Sequence, residues 1–362
     1  ADGLTCTSYS RDMVRICVLG GGLVGRFIAF NLASKGHEIR LIDADEGVLE
    51  NLPNRIQGIQ SRIDVSQKLD DLIGEAAVVV NCLPGRFGHK IRKSLISIKG
   101  IMVADLAFTS EDPRELDILA KNNGSLLIYD IGIAPGMSNI LIGKVQNDAS
   151  KVDRVRIWVG GNPQKPDADW SYMAPFSPSD VIEEYTRPAR IRRGGKNIAA
   201  PALTERHSVQ VTGYGEMEAF LTDGLRSLLD TILCDDLAEY TVRWPGHIQR
   251  YIDLDPINEE ELIESWKFNS TRPEFTWLAV EIHADGEMHR WEIIDEGQGG
   301  WSSMARTTGL VTIEVVEMMI EGVFTQFGVL PPEALHEHAD RFIAMMKGNG
   351  VKIINNHSSS SE

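Results

Sequence analysis

The sequence is poor in cysteine. Its four cysteines, Cys6, Cys17, Cys82 and Cys234, show no paired spacing, so nothing indicates a disulfide framework or a zinc knuckle. Two of them fall inside apolar, strand-like runs, where a free thiol behaves as a small hydrophobic side chain. We therefore expect reduced thiols in a cytoplasmic protein and no bound metal.

Long apolar runs are also missing. None approaches the roughly eighteen residues that a membrane-spanning helix needs. The polar residues 1–12 lack the apolar segment of a secretion signal, and we expect them to form a leader ahead of Met13. His336 and His338 form the one local histidine pair that could suggest a metal, but such a pair on a polar helix is more often solvated.

Positive charge is scarce. The chain has 36 basic and 52 acidic residues and a net charge of −16, which disfavours nucleic acid and anionic membranes as partners. It also has no GxSxG elbow, no P-loop and no local cysteine–histidine pair. The expected partner is a small molecule.

What the first 130 residues do have is an alternation of strand and helix patterns. Apolar, strand-like runs occupy 14–19, 38–43, 75–83, 101–106 and 125–131, and helical patterns separate them. This alternation predicts an α/β fold with a Rossmann-type, doubly wound parallel sheet.

After Gly136 the pattern changes to a second, mixed α+β domain. Residues 152–159 alternate as a strand, and turns at 193–196 and 285–286 predict two hairpins. A helix over 303–322 is expected to return to the first sheet. The expected domains are 13–130 with 304–356 for a dinucleotide, 131–303 for substrate and dimerisation, and a flexible tail at 357–362.

The most informative segment runs from 14 to 43. Gly20, Gly22 and Gly25 form a GxGxxG motif between a strand and a helix, where backbone N–H groups can bind a diphosphate. The next strand ends in Asp43, at the spacing of a carboxylate that binds the adenosine ribose and repels a 2′-phosphate. NAD is therefore favoured over NADP. Residues 81–85 follow another strand, where Pro84 either helps bind the cofactor or simply ends the strand.

Few residues stand out as catalytic candidates. Asp130 follows a strand, where it would face the cofactor or serve as a turn residue. His247 adjoins a Pro-Gly turn and could act as a general acid or base, although isolated loop histidines are usually structural. Arg187 and Arg306 could bind a carboxylate, or lie on the surface as most arginines do.

Several segments together resemble the saccharopine dehydrogenase-like family, and within it the L-lysine 6-dehydrogenases. They include GGGLVGRFIAFNLA, VVVNCLPGRFGHKI, YDIGIAPGMSN, VIEEYTRPARIRRGGK, VRWPGHIQ and SMARTTG, and they span residues 20–309. The stretch at 169–172 departs from the lysine dehydrogenase pattern.

The resemblance implies a homodimer with substrate between its two domains. It also implies cofactor contacts at Gly20, Gly22, Leu23, Val24, Gly25, Asp43, Asp64, Val65, Cys82, Leu83 and Pro84. The implied substrate neighbours are Asp130, Arg187, Thr222, Arg243, His247 and Arg306.

The implied reaction is NAD-dependent oxidation of the side-chain amine of lysine, or of a similar amine, to an imine that water hydrolyses to the aldehyde. The base is expected to be His247, with Asp130 as the competing candidate. Two alternatives remain open: a reductase of the saccharopine or carboxynorspermidine type that forms a C–N bond, and a non-catalytic NAD-binding sensor.

Overall fold

A computed structural model describes residues 13–63, 69–254 and 257–359. The strands are β1 (Arg15–Leu19), β2 (Glu38–Asp43), β3 (Ile56–Gln60), β4 (Val78–Asn81), β5 (Met102–Asp105), β6 (Leu126–Tyr129), β7 (Val152–Pro163), β8 (Ala189–Arg193), β9 (Lys196–Ala200), β10 (His207–Val211), β11 (Gly215–Leu221), β12 (Asp236–Arg243), β13 (Glu274–Ala284), β14 (Glu287–Asp295), β15 (Gly328–Leu330) and β16 (Lys352–Ser359). The α-helices are α1 (Leu23–Ser34), α2 (Leu69–Ile73), α3 (Gly85–Ile96), α4 (Asp117–Asn123), α5 (Met137–Asp148), α6 (Pro178–Thr186), α7 (Leu228–Thr231), α8 (His247–Ile252), α9 (Glu259–Ser265), α10 (Ser303–Ile320) and α11 (Ala339–Gly348).

The first sheet is wholly parallel and has the strand order β15-β6-β5-β4-β1-β2-β3. Its central strands are almost continuously apolar because helices cover both faces. The strand order reverses between β1 and β4, and ligands of doubly wound sheets bind beside such a reversal, at the carboxyl ends of the strands. The predicted α/β class and its Rossmann-type half are confirmed.

The second sheet is mixed, with the order β10-β11-β12-β7-β13-β14-β16, and β8 with β9 lies beside β12. The β12–β7 pair is parallel and the other pairs are antiparallel. Both predicted hairpins form, because Arg193 pairs with Lys196 and Ala284 with Glu287 across tight turns. The second, mixed domain is therefore confirmed.

Helix α10 joins the two sheets. It is apolar and buried on nearly all sides, as expected of a helix packed within the protein. Gly309 lies against Phe27 of α1 in the first domain. At its other end Ser303 forms a 2.7 Å hydrogen bond with Thr276 of β13. The helix returns to the first sheet as expected, and it also contacts the second.

The carboxyl-terminal segment differs from the expectation. Strand β16 pairs with β14 in the second sheet, so residues 352–356 do not belong to the first domain and a flexible tail does not begin at 357. Its serine-rich composition is misleading, because the pairing uses backbone groups that every residue supplies. Residues 1–12, Asp64, Val65 and 360–362 lie outside the described residues. Among the described helices, none has the length and apolar character to cross a bilayer.

Candidate functional site

A cleft of about 1210 Å³ runs between the two sheets. Small-molecule pockets are usually about 300–1,000 Å³, so this cleft can hold a dinucleotide together with a second small molecule. One end is formed by the glycine loop, Asp43 and Leu83, and the other by side chains of α6 and β12. The cleft thus begins where the first sheet predicts a ligand and ends in the second domain.

The glycine loop has the geometry of a diphosphate site. Gly20 has φ +92°, and a Cβ there would lie 2.9 Å from the Cys82 carbonyl oxygen. A Cβ on Gly25 would overlap the backbone of Gly20, whereas one on Gly22 would meet nothing within 4 Å. Helix α1 begins at once, without a side-chain cap or an acidic residue in its first turn. Its free N–H groups therefore face open space where an anion fits.

Asp43 ends β2 beside this loop. Its Oδ2 accepts a 2.6 Å hydrogen bond from Gly21 N, and its Oδ1 accepts one of 2.9 Å from Asp45 N. Each carboxylate oxygen has a further lone pair for a ribose hydroxyl. Asp43 also lines the cleft, as do Leu23, Val24, Cys82, Leu83 and Pro84. The described residues therefore fit a bound dinucleotide.

Asp130 lines the cleft but is held in an ion pair. Arg226 Nε lies 2.7 Å from Asp130 Oδ2, and both side chains are buried. The same guanidinium stacks on Phe108, with its Cζ 4.4 Å from the ring centre. This pairing argues against Asp130 as a free base, because accepting a proton would leave Arg226 as an uncompensated buried cation.

Strand β12 presents three polar side chains to the cleft. Glu239, Thr241 and Arg243 alternate along the strand and therefore share one face. Arg243 was expected near the substrate, whereas Glu239 was not singled out. Polar residues at the alternate positions 239, 241 and 243, separated by Tyr240 and Val242, are a sequence signal that could have identified this face.

Helix α6 forms the facing wall. Asp180, Glu183, Glu184 and Arg187 recur at helical spacing and line the cleft, while Val181 and Tyr185 point into an aromatic cluster. Burial and the neighbouring Glu183 raise the pKa of Asp180 to about 6. Arg187 stacks on Phe108 at 5.2 Å, and its Nη2 donates a 3.3 Å hydrogen bond to Glu183. Its Nη1 lies 3.8 Å from Asp223 Oδ2 and has no hydrogen-bond partner among the described residues.

Glu239 is the most unusual charged group of the cleft. Its side chain is 3% exposed, and Oε2 is buried with no hydrogen-bond partner among the described residues. Gly224 packs directly against the carboxylate, where a Cβ would overlap it. Burial, with Glu184 and Asp223 nearby, raises the pKa of Glu239 well above its ordinary value. Burial also raises the pKa of Glu184, although Arg243 and Arg187 partly offset this.

His247 lies behind the cleft wall. Arg243 Nε donates a 2.9 Å hydrogen bond to the Tyr185 hydroxyl, which donates one of 3.1 Å to His247 Nε2. His247 Nδ1–H then donates to the Trp170 carbonyl oxygen at 3.0 Å. Burial, reinforced by Arg243, lowers the pKa of His247 to about 3. The placement argues against His247 as the base and indicates that it orients Arg243 through Tyr185.

Two other expected substrate neighbours lie away from the cleft lining. Thr222 is buried and bonded to Thr241 at 2.8 Å. Arg306 is held by Asp295, with Nε–Oδ2 at 2.8 Å, and donates to the Asn349 carbonyl oxygen at 2.7 Å. Both side chains stabilise the walls of the site, and neither is placed to bind a molecule inside it.

Among the residues that the structure describes, one group with metal-ligand geometry lies outside the cleft, on the second sheet. Glu287, His289 and His357 have ligand atoms within 4.8 Å of one another. His289 and His357 pair directly across β14 and β16. The sequence pattern offered no signal for this group, because residues 287 and 357 are distant along the chain.

Comparisons with known proteins agree with this architecture. Residues 132–351 match the family model for the saccharopine dehydrogenase C-terminal domain. Residues 16–128 match the model for the saccharopine dehydrogenase NADP binding domain. The chain belongs to the saccharopine dehydrogenase family. The family resemblance found in the sequence is therefore confirmed, and the first domain is a nicotinamide-nucleotide-binding domain.

Individual members of the saccharopine dehydrogenase family are distant relatives. Saccharopine dehydrogenase [NADP(+), L-glutamate-forming] of Pyricularia oryzae is 26% identical over 202 residues, which cover 52% of this chain and 44% of that protein. The mitochondrial alpha-aminoadipic semialdehyde synthase of Rattus norvegicus is 22% identical over 51% of this chain and 21% of its own length. The chain thus spans less than half the length of both curated relatives.

A solved structure shares the whole fold. Apo saccharopine dehydrogenase (L-Glu forming) from Saccharomyces cerevisiae superposes with a TM-score of 0.73 over 95% of this chain and 100% of that chain, at 15% identity. At that identity the similarity establishes the two-domain fold alone.

Proposed function

We propose that this protein is an NAD-dependent dehydrogenase that oxidises a CH–NH₂ group of an amino acid or amine, with lysine as the first candidate. The observation that carries the proposal is the single cleft joining the glycine loop to Glu239 and Arg243. A dinucleotide whose diphosphate rests on α1 would extend toward Leu83 and Pro84. The polar face of β12 then lies at the far end, where a small substrate fits.

The overall reaction balances as R–CH₂–NH₃⁺ + NAD⁺ + H₂O giving R–CHO + NH₄⁺ + NADH + H⁺. The bound nicotinamide would accept the hydride. The protein's part is to hold the substrate in line and to manage the proton that the ammonium loses, since its ordinary pKa is about 10.4. Arg243 has five donors, of which three contact Tyr185, Val242 and Tyr172, so the remainder can bind a carboxylate.

The cofactor choice is part of the proposal. Asp43 favours NAD, because its carboxylate would repel the 2′-phosphate of NADP. Arg62 lines the same end of the cleft and is the guanidinium that a 2′-phosphate would meet. Comparing turnover with the two cofactors tests this choice directly.

A second candidate is a saccharopine-type reductase that joins an amine to a carbonyl compound. Arg187 and Arg243 line the end of the cleft formed by α6 and β12, and they could bind two carboxylates. Such an enzyme would use NADH only when both partners are present. Homodimer formation and a cytoplasmic location stay predictions, and sedimentation would test the first.

The deciding experiment incubates the purified protein with lysine and NAD and follows NADH absorbance. We expect NADH to accumulate together with ammonia. NADH consumption with lysine plus a 2-oxo acid, and no NADH from lysine alone, would favour the second candidate. No turnover in either direction would contradict both proposals.

A further inference from the structure

The acidic half of the cleft carries an inference about the substrate, and it rests on the proposed function. The proposed reaction requires an amine substrate, but the side chains that bind this amine are not specified by the reaction itself. Inside the cleft, Glu239 Oε2 is buried and has no hydrogen-bond partner among the described residues, and Glu184 faces it with like charge. A buried carboxylate without a partner is costly, so it is normally kept only where a ligand completes it.

Charges around Glu239 do not supply that partner. Glu184 of α6 and Asp223 of the loop after β11 face it with like charge, and among the described residues Arg226 is the one cation that acts on it. Arg226 is already paired with Asp130 at 2.7 Å. Glu239 therefore lacks a committed cation of its own within the described part of the chain.

A divalent cation is a poorer occupant than an ammonium group. Within the described residues, no three carboxylate or imidazole groups of the cleft bring ligand atoms within 4.8 Å of one another. A metal ion with oxygen ligands needs several of them close together. An ammonium group needs only three acceptors, which two carboxylates and a carbonyl or hydroxyl can supply.

We propose that Glu239 and Glu184 bind the side-chain ammonium of the substrate, while Arg243 and Arg187 bind its carboxylate. The cleft therefore selects an amino acid with a cationic side chain over one that is apolar or acidic. Opposite charges at the two ends of the substrate would fix its orientation and place its side-chain amine beside Glu239.

Binding in the presence of NADH tests this assignment, because NADH cannot accept a hydride and no turnover occurs. Lysine and norleucine are the two probes, since norleucine has the same backbone and chain but no side-chain ammonium. Calorimetry on the wild type should show lysine binding at least about tenfold more tightly, which is the scale of a charge-assisted hydrogen bond.

The variant Glu239→Gln should abolish that preference and leave norleucine affinity within about twofold. Glu184→Gln should reduce the preference by a smaller factor, and it serves as a second variant should the first fold poorly. Glu216→Gln removes the same charge from an exposed position on β11, and it should leave both affinities unchanged.

An unchanged lysine-to-norleucine ratio in both Glu239→Gln and Glu184→Gln would overturn the assignment, as would equal affinity of the wild type for the two probes. Failure of the proposed function has a different signature. In that case lysine binds with dependence on Glu239, but no NADH forms from lysine and NAD.

Discussion

Tyr185 and His247 are joined by a 3.1 Å hydrogen bond inside an aromatic cluster, and this bond connects the cleft arginine to a buried histidine. Because the Trp170 carbonyl oxygen can only accept, the neutral His247 ring keeps its hydrogen on Nδ1, and Nε2 accepts the hydroxyl hydrogen of Tyr185. His247 is thus a neutral acceptor on one nitrogen and a donor to Trp170 on the other. His247 therefore holds the Tyr185 hydroxyl in place, and Tyr185 in turn orients Arg243.

Replacing His247 with Phe should lower the free energy of unfolding by about 1–3 kcal/mol at pH 7, because the Tyr185 hydroxyl and the Trp170 carbonyl lose buried partners. The pKa of His247 falls from 6.5 unfolded to about 3 folded, so wild type loses stability as pH drops through this window. The variant has no histidine at this position and keeps its stability over the same range. The difference in free energy of unfolding between wild type and variant should therefore become smaller as pH falls from 7 to 4. Denaturant titrations at the two pH values measure this, and a deficit that grows toward pH 4 would contradict it.

Replacing Asp130 with Asn should cost about 3–5 kcal/mol, because Arg226 becomes an unpaired buried cation. Asp230→Asn is the control, since it breaks the exposed pair with Arg114 and should cost at most about 1 kcal/mol. Replacing Asp130 with Asn and Arg226 with Met together should recover most of the loss. Urea unfolding measures all three, and equal costs for the two single variants would count against the buried pair.

Glu239→Gln should stabilise the protein without ligand by about 1–3 kcal/mol at pH 8, because it removes an uncompensated buried charge. Groups facing Glu239 are Glu184, Asp223 and Arg226. A carboxyl whose pKa is raised on folding destabilises the folded protein increasingly as pH rises above the unfolded pKa. The increase in the free energy of unfolding caused by Glu239→Gln should therefore vanish near pH 4. Glu216→Gln should stay within about 0.5 kcal/mol at both pH values. A gain that persists at pH 4 would show that the charge is not its cause.

Most of the first domain could be predicted from sequence because its signals are local. The strand–helix rhythm, the GxGxxG loop and Asp43 all lie within one continuous βαβ unit, and their roles depend on spacing alone. The hairpins at 193–196 and 285–286 are local for the same reason. Strand β16 was missed because its partner β14 lies about sixty residues away, and only backbone groups form the pairing.

The end of the cleft formed by α6 and β12 was harder to predict because it depends on tertiary packing. His247 follows a Pro-Gly turn, which resembles an exposed loop, but Trp170, Tyr185 and Trp266 come from distant segments to surround it. In the sequence Glu239 resembles any other acidic residue. The fold packs Gly224 against it and leaves Arg226, which is already paired with Asp130, as the cation that acts on it. Burial and pairing of this kind leave no trace in local spacing.

We propose that the glycine loop and Asp43 bind NAD. Calorimetric titration of the wild type and Asp43→Asn with NAD and NADP tests it most directly, with Asp71→Asn on α2 as a control for the lost charge. We predict that the wild type prefers NAD, and that Asp43→Asn weakens NAD binding about tenfold or more and reduces the preference, while Asp71→Asn binds as the wild type does. The absence of NAD binding by the wild type, or unchanged affinities in Asp43→Asn, would contradict a role of Asp43 and the glycine loop in binding NAD.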